Sequence, residues 1–323
     1  MRHSGVKMLS RIAVALAVLL AIGYFSLSWG AWADGNAQIV WGLRFPRLLN
    51  AIAVGSGLSL AGVILQALFS NPLCEPYTLG VSSGAAVGVV LFQSLAVQLG
   101  ISSVFFGFSI GGLVGSIVFT LILLLFGMRK QTNQTSFLLG GVILGMLGSS
   151  VLSVWMAMTD PNGVQAALSW MLGDLQKGSI ESATVTGLVV FFVFAVIVLK
   201  SRVLDALLLG ELEASSLAIA VKKERVLFLF LAALLVSVCV SSAGMIGFIG
   251  LLVPHGVRLR VGASHSRVSI LATLWGAVCL SLADLVSQRL FQTRELPVGA
   301  VTALVGAPVL MIWLLKRNVR GIR

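Results

Sequence analysis

Few side chains in this sequence carry chemistry, and their spacing argues against catalysis. Cys74, Cys239 and Cys279 lie far apart and no CxxC pair occurs, so neither a metal site nor a disulfide framework is indicated. The dipeptide Gly-Lys is absent, which removes a phosphate-cradling loop of the Walker A kind. No HExxH occurs and no Ser-His-Asp arrangement stands out. His255 and His265 flank a short basic stretch and read as solvated. Asp284 can pair with Arg289, and Glu295 precedes Leu296-Pro297. No catalytic residue, metal or cofactor is expected.

Three polar segments remain between long apolar runs. Arg44-Phe45-Pro46-Arg47 sets two arginines around a proline that limits the backbone, and both guanidiniums are expected at the surface. Such a pair suits snorkelling to headgroups or docking of an acidic partner. Asn71-Pro72-Leu73-Cys74-Glu75-Pro76 is a turn stiffened by two prolines. It reads as a hard turn between helices or as part of a gate, with Thr135 and Ser136 in the next connection on the same side. The segment 205–223 carries Asp205, Glu211 and Glu213 early and Lys222 and Lys223 late, as a helix macrodipole favours. Gly210 reads as a break between two short helices. The segment is either an interfacial helix or a docking element for a soluble partner.

The elements that must position these segments follow from composition. Of 323 residues 58% are hydrophobic and 10% charged, with a mean hydropathy of +1.04. A soluble domain carries about 25% charged residues, so the solvent of this chain is lipid. Apolar runs that cross or nearly cross a ~30 Å core recur at 10–29, 48–69, 81–99, 102–128, 136–158, 182–200, 226–243, 245–257, 268–287 and 299–315. The first follows Arg2, Lys7 and Arg11 and reads as a retained span rather than a cleaved signal peptide. A tight hairpin at Gly100 joins the third and fourth. The eighth is short for a straight crossing, and Gly247, Gly250 and Pro254 make part of it irregular backbone that protein must shield.

Alternating these spans from an inside N-terminus puts 17 of the 22 Lys and Arg residues on the inner side, with both termini cytoplasmic. The five outside are Arg44, Arg47, Lys177, Arg289 and Arg294. The net charge of +11 therefore reflects topology, and no nucleic-acid partner is expected. Gly80, Gly84 and Gly88, Gly111 and Gly115, and Gly141 and Gly145 fall at four-residue spacing. Each set makes a smooth helix face for packing within one subunit or across a dimer. No internal repeat is clear.

Eight stretches, in order along the chain, resemble the FecCD type of ABC-transporter permease, which includes vitamin B12, haem and ferric-siderophore importers. They are RFPR (44–47), AGVILQALFSNPLCEPYTLGVSSGAAVG (61–88), SFLLGGVILG (136–145), LSWMLGDL (168–175), LLGELEASSLAI (208–219), GMIGFIGLLVPHGVRLRVG (244–262), LADLVSQRL (282–290) and ELPVGAVTALVGAP (295–308). The resemblance implies an all-α polytopic membrane protein of about ten transmembrane helices with the type II ABC importer permease fold. It implies one permease domain over 1–323 and a homodimer or a heterodimer with a similar chain. Two ATPase subunits dock on the cytoplasmic side, and a periplasmic or lipid-anchored substrate-binding protein docks outside. The chain is then no enzyme itself. It moves a metal chelate across the bacterial cytoplasmic (inner) membrane by alternating access, while its partners hydrolyse ATP.

By the same resemblance Gly210, Glu211, Glu213, Ala214 and Leu217 couple to the ATPase. Arg44 and Arg47, with Arg289, meet the binding protein. Asn71 and Leu73, with Thr135 and Ser136, narrow the cytoplasmic end of the pathway. Three departures stand out. The coupling segment ends Leu217-Ala218 where the family has Leu-Gly. The loop after the PHGVR stretch departs from Gly-x-Asp-His-Arg. Gln288 stands where the family's outer arginine usually falls, with Arg289 one residue on. Family frequency favours ferric siderophore as cargo, then cobalamin and haem. The rival reading, an ion-coupled secondary transporter of a small solute, needs mid-membrane ionisable residues or paired broken helices, and neither is evident.

Overall fold

The computed structural model describes residues 2–28, 37–98, 104–127, 134–176, 178–290 and 295–320. In these the chain is helical, with no strand. The helices are α1 (Arg2–Ser28), α2 (Ala37–Leu68), α3 (Val81–Gln98), α4 (Val104–Gly127), α5 (Gln134–Met158), α6 (Pro161–Met171), α7 (Ile180–Leu199), α8 (Ser201–Leu209), α9 (Glu211–Ser216), α10 (Val221–Ala243), α11 (Ile249–Val261), α12 (His265–Arg289) and α13 (Val298–Arg320). Seven of them are long and apolar enough to cross a membrane, and Val81–Ala96 and Ile110–Phe126 are shorter apolar helices. Length and composition alone thus support seven of the ten expected spans. The expected hairpin at Gly100 and the basic pair Arg129 and Lys130 lie outside the described residues.

The bundle is organised around α2. From Pro46 to Leu68 nearly every residue of this helix is buried, and α7, α10, α11 and α12 pack around it. Its sequence accounts for this, because small and apolar residues lie on every side, as in a helix enclosed all round, and the buried Arg47, Asn50 and Gln66 each donate a hydrogen bond to a neighbouring segment. Small residues let neighbouring backbones approach closely. A Cβ on Gly62 would lie 1.7 Å from the carbonyl oxygen of Gly250, and one on Gly55 2.3 Å from that of Gly276. The glycine stripes of α3 and α4 meet each other in the same way. A Cβ on Gly88 would stand 2.1 Å from Gly111 O, and one on Gly115 2.1 Å from Gly84 O. Gly80 faces α5, with Gly141 O 2.8 Å from where its Cβ would be. These stripes therefore serve packing within one subunit.

One boundary differs from the sequence expectation, and one expected irregularity is present. The stretch Arg44-Phe45-Pro46-Arg47 is helical instead of a turn before a span. A π-helical turn at Val40–Arg44 leads into the α-helix that starts at Phe45, so Pro46 sits in its first turn, where a missing N–H is tolerated. The run at 245–257 is split. Residues 244–248 are non-helical, and α11 begins only at Ile249 and continues to Val261 with Pro254 inside it. Gly244 (φ 70°) and Phe248 (φ 69°) bracket the irregular piece. The connection at 159–181, between α5 and α7, also holds an unexpected helix, α6. Asp160 caps it by accepting a hydrogen bond from Gly163 N, and Trp170 buries its apolar face.

Candidate functional site

The functional segments collect at the two ends of the bundle. At the end where α2 begins, Arg47 is buried, only 8% exposed. Its Nη2 lies 2.8 Å from Asp284 Oδ1, and its Nε donates to both oxygens of that carboxylate at 2.9 and 3.1 Å. Its Nη1 donates to Glu295 Oε2 at 2.7 Å. Gln288 donates to Asp284 at 2.8 Å, and Gln176 donates to Glu295. Arg47 is thus not a surface guanidinium, which corrects the sequence expectation. The continuous helix turns it inward against α12, where it takes the role that the sequence offered to Arg289. Arg44, one helical turn earlier, is half-buried and lies close enough to Arg289 for the two to repel. Arg289 is exposed. Lys177 and Arg294, assigned to the same side, lie outside the described residues.

The opposite end carries α8 and α9. Gly210 separates them at φ 122°, a conformation open to glycine but not to L side chains. The loop is anchored at its base. Lys200 Nζ meets Glu224 Oε1 at 2.5 Å, joining the end of α7 to the start of α10. Asp205 Oδ1 accepts from the backbone N–H of His265 at 2.9 Å and lies 2.7 Å from its Nδ1. His265 is fully buried, not solvated as its place in a loop suggested. It opens α12, and Asp205 serves an N–H that the first turn of a helix leaves without an internal partner. Above these anchors stands an apolar tip. Leu212 is 80% exposed and Leu217 60%, with Leu209 also exposed. Ala214 is fully buried and supports the tip from within, so it offers no surface to a partner. Glu213 is exposed, and Glu211 opens α9 with its side chain outside the described residues.

The turn after α2 lies at this same end. Asn71 Oδ1 accepts from Leu73 N at 2.9 Å, a local bond that rigidifies the turn. The Phe69 ring packs 5.7 Å from that of Phe137, which brings the turn beside the start of α5. Ser136 is half-buried there, and the side chain of Thr135 lies outside the described residues.

Just past that turn, Glu75 and Tyr77 have a function that sequence reasoning missed. Glu75 Oε1 accepts from Phe248 N at 2.6 Å, and Tyr77 Oη accepts from Ile246 N at 2.7 Å. These two side chains satisfy the backbone of the irregular piece before α11, which neither lipid nor a helix ladder can do. Burial pushes the Glu75 carboxyl up from its ordinary range, opposed by the Phe248 hydrogen bond. Burial pushes the Tyr77 phenol up as well. The one available signal was a glutamate and a tyrosine beside two prolines in an otherwise apolar chain. A second lock was invisible: Asn50 Nδ2 donates to Ser242 O at 3.3 Å while Ser242 Oγ donates to Asn50 Oδ1 at 2.6 Å. Among the described residues no group of His, Cys, Asp and Glu could hold a metal ion.

An enclosed central helix among seven helices long and apolar enough to cross a membrane describes a multi-pass membrane protein. The chain belongs to the FecCD transport family, whose model matches residues 11–317. It is 36% identical over 300 residues to the vitamin B12 import system permease protein BtuC of Vibrio cholerae serotype O1, covering 93% of this chain and 89% of the relative. It is 38% identical over 318 residues to BtuC of Photorhabdus laumondii subsp. laumondii, with 95% and 92% covered. Its fold matches a solved transporter described as of metal-chelate ABC type, in an inward-facing conformation. The TM-score is 0.85 at 28% identity, with 96% of this chain and 99% of the other covered.

Proposed function

We propose that this chain is the transmembrane subunit of an ATP-driven importer and that its cargo is cobalamin. The observation that carries the reading is similarity over nearly the whole chain to permeases named for vitamin B12 import. Neither of these relatives is a siderophore permease, so ferric siderophore, first on family frequency, moves behind cobalamin. Two copies of the chain, or one copy and a similar chain, line the pathway in the inner membrane. The exposed tip at Leu212 and Leu217 seats in a cleft on each of two ATPase subunits. The anchors Lys200–Glu224 and Asp205–His265 make that tip a lever, so that movement of the ATPase reaches α10 and α12 without being lost in a loose loop. On the outer side Arg44 and Arg289 meet carboxylates of a substrate-binding protein, while Arg47 holds α2 to α12 beneath them. The turn at Asn71 and Leu73 narrows the cytoplasmic mouth against Thr135 and Ser136. The basic residues orient the chain with both termini in the cytoplasm.

The test of cargo is uptake by cells that produce this permease with its ATPase and binding protein in a host stripped of its own chelate importers. Labelled cobalamin accumulates and excess unlabelled cobalamin competes. Accumulation of a ferric siderophore without cobalamin would overturn the cargo and leave the importer standing.

A further inference from the structure

A groove of about 430 Å³ opens between α1, α11 and α12, at the end of the bundle that carries α8 and α9. Its placement follows from Arg260, which lies in the last turn of α11, just before His265 meets Asp205. The groove has two chemistries. Val14, Leu252, Val257 and Trp275 make apolar walls, and Ser10, Arg11 and Arg260 bring a hydroxyl and two guanidiniums from two separate helices. Among the described residues neither Arg11 nor Arg260 has a carboxylate partner. Gly256 also lines the groove, with nothing within 4 Å of where its Cβ would be.

We propose that this groove binds one anionic phospholipid, its phosphate held by Arg11 and Arg260 and an acyl chain laid along the apolar walls. Guanidiniums suit phosphate oxygens, and basic pockets between membrane helices recruit anionic headgroups. A free anion leaves the apolar walls uncovered. A zwitterionic lipid brings a cation of its own to two like charges. Only an anionic lipid answers both ends of the groove. Bound there, it ties α1 to α11 and α12 beside the anchor of α8.

The experiment uses the full-length protein in detergent. Native mass spectrometry counts retained lipid, and thermal unfolding is followed on addition of phosphatidylglycerol, phosphatidylcholine or inorganic phosphate. The wild type retains one phosphatidylglycerol per chain and is stabilised by it well beyond phosphatidylcholine. Arg11→Gln with Arg260→Gln weakens retention about tenfold or more, with unfolding in phosphatidylcholine unchanged. Gly256→Leu fills the groove, keeps both charges, and also lowers retention. Retention in the arginine variant equal to wild type overturns the proposal, as does equal stabilisation by phosphatidylcholine. Stabilisation by inorganic phosphate that matches phosphatidylglycerol overturns the lipid in favour of a free anion. A disulfide between two copies carrying Val14→Cys shows that a second chain covers the groove, and also overturns it.

Discussion

Arg47→Ala is the most informative single change at the ion-paired rim. The side chains of Arg47 and Asp284 are only 10% and 4% exposed, so neither charge is hydrated. Removing the guanidinium leaves Asp284 with Gln288 as its remaining side-chain donor. Breaking a buried pair from one side costs about 3–5 kcal/mol, because the other charge stays buried without compensation. Glu295 behaves differently. Its side chain is 41% exposed and can rehydrate, so Glu295→Gln costs about 0–1 kcal/mol. Arg47→Met combined with Asp284→Leu removes both buried charges and costs well under Arg47→Ala alone. Equilibrium unfolding in mixed micelles reads all three variants. Wild-type stability in Arg47→Ala, or a double variant less stable than the single one, would show that the Arg47–Asp284 pair is not a buried, mutually dependent one. The same geometry governs any test of docking. A charge reversal at Arg47 would place a third acid among Asp284 and Glu295 and disturb the fold, so docking has to be probed at Arg44 and Arg289.

Three further outcomes are expected. Leu217→Arg leaves insertion and thermal stability intact but weakens association with the ATPase by about 1–3 kcal/mol, read by co-purification at rising salt; undiminished association would reduce α8 and α9 to an interfacial loop. Gly62→Ala drives a methyl into the Gly250 carbonyl and destabilises by about 1–3 kcal/mol or more, whereas Gly187→Ala meets open space and stays within about 0.5 kcal/mol of wild type; equal unfolding of the two would refute the close approach of α2 and α11. Glu75 holds its proton to higher pH in the folded chain than in the unfolded one. Its contribution to stability is therefore complete below the unfolded pKa and is lost as pH rises through the raised folded value. Glu75→Gln abolishes that decline when unfolding is followed from acid to neutral pH, and parallel profiles for the two proteins would count against the burial.

Sequence reasoning reached the elements more surely than their contacts, for physical reasons. An apolar run long enough to cross a bilayer is legible because lipid admits few other structures. The break at Gly210 was legible because φ 122° belongs to glycine. The short run at 245–257 was legible as irregular from its glycines and proline, but Glu75 and Tyr77, which satisfy it, lie about 170 residues away along the chain. Arg47 was misplaced because Pro46 suggested a turn, while the proline sits in the first turn of an α-helix, where it is tolerated. His265 was misplaced because its partner Asp205 belongs to another segment. Whether the glycine faces pack within a subunit depends on which helices meet, and periodicity within one helix carries no such information. The cargo leaves no mark in the chain that composition or spacing can read.

If ATP turnover by a partner drives transport through this chain, reconstitution tests it most directly. The measurement is uptake of labelled cobalamin into proteoliposomes that contain the permease and its ATPase, with the binding protein outside and ATP inside. Accumulation is expected to require both ATP and the binding protein, to persist when ion gradients are collapsed, and to disappear with Leu217→Arg. Accumulation driven by an ion gradient without ATP would contradict ATP-driven import.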